Sequence, residues 1–166
     1  KLKKKRKQVV NDTIGLTKTG INVQEHQLVA SICRDSFYAF VQEFWDILIP
    51  QKPVWNWHIE YLCNELQQMA ERIFRDEDKK YDLVVNVPPG TTKSTIMSVM
   101  FPAWLWTRMP SCRYIGASHA EKLALDLSMK CRDIIKSDKY RLCFPEVILR
   151  DDQDTKTKFQ NTAGGY

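Results

Sequence analysis

At 166 residues, 43% of them hydrophobic and 27% charged, the chain suits one soluble globular domain with a single core. Its longest apolar stretch, Ile96 to Trp106, carries Ser98 and Pro102 and falls short of the roughly 18 residues a membrane span needs; the basic N-terminus leads into no apolar segment, so the sequence predicts neither a span nor a secretory signal. The five cysteines, Cys33, Cys63, Cys112, Cys131 and Cys143, are odd in number and lack metal-ligand spacing, which predicts reduced thiols in a cytosol.

The net charge of +5 belongs to one end of the chain. Lys1, Lys3, Lys4, Lys5, Arg6 and Lys7 supply six positive charges, and the remainder holds 19 bases against 20 acids. Residues 1–23, polar and without a sustained period, read as a basic arm or linker, able to hold DNA phosphates by counterion release and equally able to stay a solvated tail. Within residues 24–50, from Gln24 to Ile49, Leu28, Ile32, Phe40, Phe44 and Leu48 recur at multiples of four, and Val29, Phe37, Val41 and Trp45 widen the stripe. That pattern predicts one amphipathic N-terminal helix, stopped by Pro50 and Pro53. Leu62, Leu66, Met69 and Ile73 predict a second helix from about Asn56 to Arg75.

Beyond the charged loop Arg75 to Lys80, the run Asp82-Leu-Val-Val-Asn-Val-Pro88 has a short β-branched apolar core bounded by proline and predicts a buried strand. Lys93 to Trp106 predicts a helix that Pro102 kinks or ends. Cys112 to Ser118 predicts a second strand, and His119 to Ser137 a helix with Leu123, Leu127, Cys131 and Ile134 on one face. Strand, helix, strand, helix in that order predicts an α/β fold over residues 51–166, with a parallel sheet, right-handed crossovers and flanking helices, preceded by the N-terminal helix. Past Pro145 only short strand-like pieces near Asp151, Thr155 and Phe159 are indicated. The start at Lys1 and the end on Gly164-Gly165-Tyr166, a turn-forming dipeptide, read as a fragment of a longer protein.

A strand that ends in a small-residue turn and opens a helix leaves free N–H groups at the helix N-terminus, where they and the helix dipole favour an anion. In Val87-Pro-Pro-Gly-Thr-Thr-Lys-Ser-Thr95 that turn is followed by Lys93, a positive charge for β- and γ-phosphates, and by Ser94, whose hydroxyl suits Mg2+. Against the G-x-x-x-x-G-K-[S/T] pattern only Lys93 and Ser94 match, since Val87 and Thr92 stand where glycines are usual. The alternative is a plain strand-to-helix turn in which Ser94 or Thr95 caps the helix.

The same run resembles the phosphate loop of the large terminase subunit of tailed bacteriophages, the ATPase that packages viral DNA. Phe101-Pro-Ala-Trp104, the spacing to Tyr114-Ile-Gly-Ala-Ser118, and the helix carrying Arg132, Asp133, Ile134 and Ile135 are similar to that family in order. Asp152-Gln-Asp-Thr-Lys156, Phe159 and Gly164-Gly165 resemble the hairpin before its second ATPase motif, so the likeness spans Trp57 to Tyr166. It implies a phosphate-loop NTPase fold of the RecA-like (ASCE) type, incomplete in this chain, with ATP and Mg2+ as cofactors. It implies a catalytic Lys93 on the transferred phosphoryl group, Ser94 on Mg2+, and Pro89, Gly90, Thr91, Thr92 and Thr95 beside the nucleotide. It also implies ATP hydrolysis coupled to translocation of double-stranded DNA, with a small terminase subunit and a portal protein as partners. A homo-oligomeric ring in the host cytoplasm at the procapsid, and an endonuclease domain beyond this chain, complete what the resemblance implies.

Trp55-Asn-Trp-His58, upstream of the first predicted strand, offers Trp57 to stack on adenine and His58 to hydrogen-bond it, against the plainer roles of core anchor and structural histidine. Ser118 and His119 would stand at the carboxyl edge of the sheet, where α/β folds bind ligands, or Ser118 simply caps the next helix. Val147-Ile-Leu-Arg-Asp-Asp152 imitates the second ATPase motif, but Arg150 breaks the apolar strand, so Asp151 and Asp152 are not assigned to Mg2+. Two other functions stay open. One is another phosphate-loop enzyme, helicase-like or a small-molecule kinase; the other is a non-catalytic DNA- or partner-binding domain that works through the basic arm.

Overall fold

The computed structural model describes residues 25–150 and 158–166. The basic arm, and residues 151–157 of the predicted hairpin with Asp151 and Asp152, lie outside the described residues. Among the described residues the elements are α1 (Glu25–Asp35), α2 (Phe37–Leu48), α3 (Trp57–Phe74), a π-helical segment (Thr95–Met100) running directly into α4 (Phe101–Arg108), α5 (Glu121–Lys136) and α6 (Asp138–Cys143). No strand forms among them, and the isolated antiparallel bridge between Leu149 and Asn161 is the only β-pairing.

The fold therefore corrects the predicted parallel sheet, and with it the RecA-like phosphate-loop NTPase architecture. A strand exists only by a ladder of bonds to a neighbour, whereas an apolar β-branched run reports burial and names no partner. Residues 82–88 lie against the helices with a period of two: Leu83, Val85 and Val87 are half-buried, while Asp82, Val84 and Asn86 are exposed. Val84 is 87% exposed, so this run is not the fully buried strand its composition indicates. Residues 112–118 likewise form no ladder: the Tyr114 N–H bonds to the Tyr166 carbonyl at 2.7 Å and the Cys112 N–H to the nearby Met109 carbonyl at 2.9 Å.

The predicted single N-terminal helix is two. Ser36 leaves helical geometry at φ −136° and ψ 114°, and its side chain accepts from the Ala39 N–H, capping α2. The Gln67 amide of α3 clamps the break, accepting from the Phe37 N–H at 2.9 Å and donating to the Asp35 carbonyl at 2.8 Å. Pro102 is accommodated by a change of pitch rather than a stop: the Phe101 N–H bonds five residues back to the Ile96 carbonyl. That wider turn makes room for a ring with no N–H to offer. At the start of α5 the cap is Ala120 with no side-chain bond, so Ser118 does not cap that helix.

The core gathers on α2, which buries Phe37, Phe40, Val41, Phe44 and Trp45. Phe40 stacks on Phe44 at 4.5 Å between centroids, Phe37 meets Trp104 of α4 at 5.1 Å, and Tyr140 of α6 meets Phe144 at 4.9 Å. Each such side chain contributes about 2 kcal/mol or more on burial. Trp104 Nε1 donates to the Cys33 carbonyl and the Tyr140 hydroxyl to the Ala103 carbonyl, both at 2.8 Å, whereas the buried Trp45 Nε1 has no partner among the described residues. The π segment packs on α5 and α4, and Ile96, Val99 and Met100 anchor it in the core. Its N-terminal end, at Lys93, is thereby held from behind.

Candidate functional site

Half-buried Leu83 and Val85 pack against the core and bring the chain to Pro88 and Pro89, which have no N–H and narrow backbone freedom. Gly90 then has φ +82° and Thr92 φ +63°, and no other residue between Pro88 and Thr95 has a positive φ. The sign of φ thus alternates from Gly90 through Thr91 and Thr92 to Lys93. Such alternation turns successive N–H groups toward one concavity, a main-chain nest suited to an anion. The chain is helical from Lys93, and the first helical bond runs from the Ile96 N–H to the Thr92 carbonyl at 3.0 Å. Among the described residues none accepts a hydrogen bond from the N–H of Gly90, Thr91, Thr92, Lys93, Ser94 or Thr95.

Side chains brace this loop internally. Lys93 Nζ donates to the Val87 carbonyl at 3.1 Å, tying the end of the loop to its start. The Thr91 hydroxyl donates to the Pro88 carbonyl at 2.7 Å, and the Thr92 hydroxyl to the Thr91 carbonyl at 2.6 Å. Ser94 is exposed and its side chain makes no cap bond, which removes the plain-cap alternative at that residue. The loop therefore presents N–H donors, one ammonium group and a free hydroxyl at the head of a helical run. That donor set fits a polyphosphate with its Mg2+: the charge of the anion falls on N–H groups and Lys93, and the metal on the Ser94 oxygen.

The other predicted residues are not joined to this loop. Trp57 is 80% exposed, with its ring 6.2 Å from that of His58 and 6.5 Å from that of Tyr61. His58 Nε2 is buried without a partner among the described residues. Neither Trp57 nor His58 makes a hydrogen bond or ring contact with residues 88–95. Trp57 is thus no core anchor; the anchor at this corner is Trp55, which packs edge-on against Trp45 and Tyr38 at 5.3 and 6.0 Å. Ser118 and His119 are exposed ahead of α5.

Two larger hollows lie elsewhere. A cleft of about 510 Å3 is lined by Ser98, Tyr114, Ser118, Glu121, Phe159 and Tyr166 among others, and a groove of about 950 Å3 runs past Arg72, Arg75 and Lys80. Neither is lined by a residue of the loop 88–95. Among the described residues no group of three or more His, Cys, Asp or Glu could hold a metal ion. All five cysteines are buried, and none is disulfide-bonded among the described residues. Burial pushes the Cys63 thiol up to about 12, with nearby Glu60 adding to the effect, and pushes Cys131 up to about 12 as well. Thiols so held are not nucleophiles.

Sequence reasoning did not find the hub at Asn161. This buried side chain donates to the Pro110 carbonyl at 2.6 Å and accepts from the N–H groups of Ala163 and Gly165 at 3.0 and 2.9 Å. Only its neighbours Gly164 and Gly165 signalled the turn. The left-handed Thr92 was foreshadowed by the motif, because it occupies a position where glycine is usual. Compared with protein-family models, curated proteins and solved structures, the chain matches none of them.

Proposed function

We propose that residues 87–95 bind the phosphate chain of a nucleoside triphosphate with Mg2+, and that the chain is the nucleotide-binding part of an ATP-driven DNA-packaging motor of the terminase type. The observation that carries the first part is the alternation of φ over Gly90 to Lys93, with N–H groups from Gly90 to Thr95 that have no acceptor among the described residues. Support for the second part is the terminase-like order of segments from Trp57 to Tyr166. In this function the loop N–H groups orient the β- and γ-phosphates, and Lys93 leaves the Val87 carbonyl to neutralise the terminal phosphate. Ser94 would hold Mg2+, which when bound supplies charge compensation at the bridging oxygens.

The proposed motor would act on double-stranded DNA in the host cytoplasm, as a ring on a portal protein, with a small terminase subunit and an endonuclease activity in the same polypeptide. Trp57 and His58 are the proposed contacts to the base, reached by the nucleotide rather than by any contact with the loop. The proposal is tested by titrating the chain with MgATP by calorimetry, alongside Lys93→Ala. Saturable binding that Lys93→Ala weakens at least tenfold is expected, since a charge-assisted bond of this kind contributes about 1.5 kcal/mol or more. Equal binding by the two chains would sink the assignment.

A further inference from the structure

We infer that the cleft between residues 115–118 and α5 is a docking groove for an extended peptide segment of a partner protein, apolar at alternate positions and carrying one basic residue. The inference goes beyond the phosphate loop, since no residue of 88–95 lines this cleft. Its volume of about 510 Å3 is within the range of clefts that hold a ligand. Leu125 of α5, Trp106 and Phe159 give it apolar lining, and Ile115 to Ser118 give it main chain.

That main chain marks the occupant as a peptide. Among the described residues, none makes a hydrogen bond with the N–H or carbonyl of Ile115, Gly116, Ala117 or Ser118, and all four residues are exposed. One step back, the Tyr114 N–H bonds to the Tyr166 carbonyl at 2.7 Å, a main-chain partner from far along the chain. The run thus begins to pair as an edge and then leaves the edge open. Cys112 is buried, Arg113 exposed, Tyr114 half-buried and Ile115 82% exposed, the alternation of extended chain. From Tyr114 to Ser118 there is no charge and no proline, the residues that guard a free edge against an added strand. A free edge beside an apolar wall captures extended peptides: main-chain bonds hold the backbone, and alternate side chains enter the groove. Charge completes the match. Glu121, the first residue of α5, is exposed on the cleft and has no ion-pair partner among the described residues. It complements a lysine or arginine of the occupant.

The experiment is fluorescence-anisotropy titration of the chain into a labelled, end-capped seven-residue peptide that alternates valine and threonine, with lysine at one threonine position. Amide hydrogen exchange is followed in parallel. Saturable binding is expected, with slowed exchange within Ile115 to Ser118. The same peptide N-methylated at alternate amides should bind at least about tenfold weaker, because its main-chain bonds are lost while its side chains remain. Leu125→Gln should weaken binding about tenfold. Glu121→Lys should weaken the lysine peptide about threefold and strengthen a glutamate counterpart by a like factor. Should Leu125→Gln fail to fold, the methylated peptide and the charge swap, which leave the apolar lining intact, carry the test. Equal binding of the methylated peptide, or no saturable binding by any of the peptides, would overturn the proposal. So would dimerisation of the chain, seen by analytical ultracentrifugation and abolished by Leu125→Gln, with no peptide binding; that result would assign the cleft to a second copy.

Discussion

Replacing Gly165 by alanine should be far more damaging than replacing its neighbour Gly164, although both stand in one turn. A methyl group at Gly165 would meet the Pro110 carbonyl oxygen at 2.2 Å, Trp106 Nε1 at 2.8 Å and Asn161 Nδ2 at 2.9 Å. None of these can withdraw freely: Asn161 Nδ2 donates to that same carbonyl at 2.6 Å, and Trp106 Nε1 donates to the Cys112 carbonyl at 2.9 Å. Relief requires opening the hub, with strain plus weakened hydrogen bonds of about 3 kcal/mol. At Gly164 a methyl group meets nothing within 4 Å, and only its φ of +86° opposes the change, which costs about 1 kcal/mol. For a chain of this size the melting temperature should drop about 6–12 °C for Gly165→Ala and about 2–4 °C for Gly164→Ala. Thermal unfolding followed by circular dichroism reads both. Equal losses, or a larger loss at Gly164, would refute the placement of this turn against Pro110 and Trp106.

Gln67→Glu keeps an acceptor for the Phe37 N–H but turns a second acceptor toward the Asp35 carbonyl. It should cost about 1–2 kcal/mol by urea titration, and Gln67→Met, which lacks the clash of acceptors, should not exceed it. Alkaline stability follows from the buried thiols. Cys63 and Cys131 are raised from 9.0 to about 12 in the folded chain, so the stability they contribute is fully present below 9.0 and is lost as the pH rises through about 12. The urea midpoint should fall progressively across that window, and a chain in which both are replaced by alanine should fall less steeply. At pH 8 the native chain should resist alkylation by iodoacetamide at all five cysteines, whereas the unfolded chain should take up five labels.

The helices were legible wherever one face is buried over several turns. Leu62 and Leu66 on α3, and Cys131 and Ile134 on α5, are core residues at the expected spacing, whereas Ile73 and Leu123, expected on the same faces, are 50% and 42% exposed. The break at Ser36 was not, because the apolar stripe from Ile32 to Phe44 passes through it without a gap, and the clamp comes from Gln67, about 30 residues away in sequence. The predicted strands failed for a related reason. Burial of Leu83 and Val85 leaves a mark in the sequence, but pairing depends on a distant partner that no local pattern specifies.

At the candidate site, Lys93 and Ser94 were legible from their motif, and the departures at Val87 and Thr92 were visible too. What the sequence could not give was the path of the main chain. The loop reaches alternating φ with only one glycine in it, at Gly90, and carries Thr92 in a glycine-like conformation. Trp57 was recognisable as unusual, yet its 80% exposure reverses the expectation that a tryptophan at a helix start anchors the core.

Amide-resolved NMR of the chain during titration with Mg2+ and pyrophosphate tests the proposed phosphate site most directly. The N–H resonances of Gly90 to Thr95 should shift together along one binding curve, with the response lost in Lys93→Ala. Shifts that map to the cleft beside Tyr114 and Phe159 or to the groove beside Arg72, with the loop amides unmoved, would contradict it.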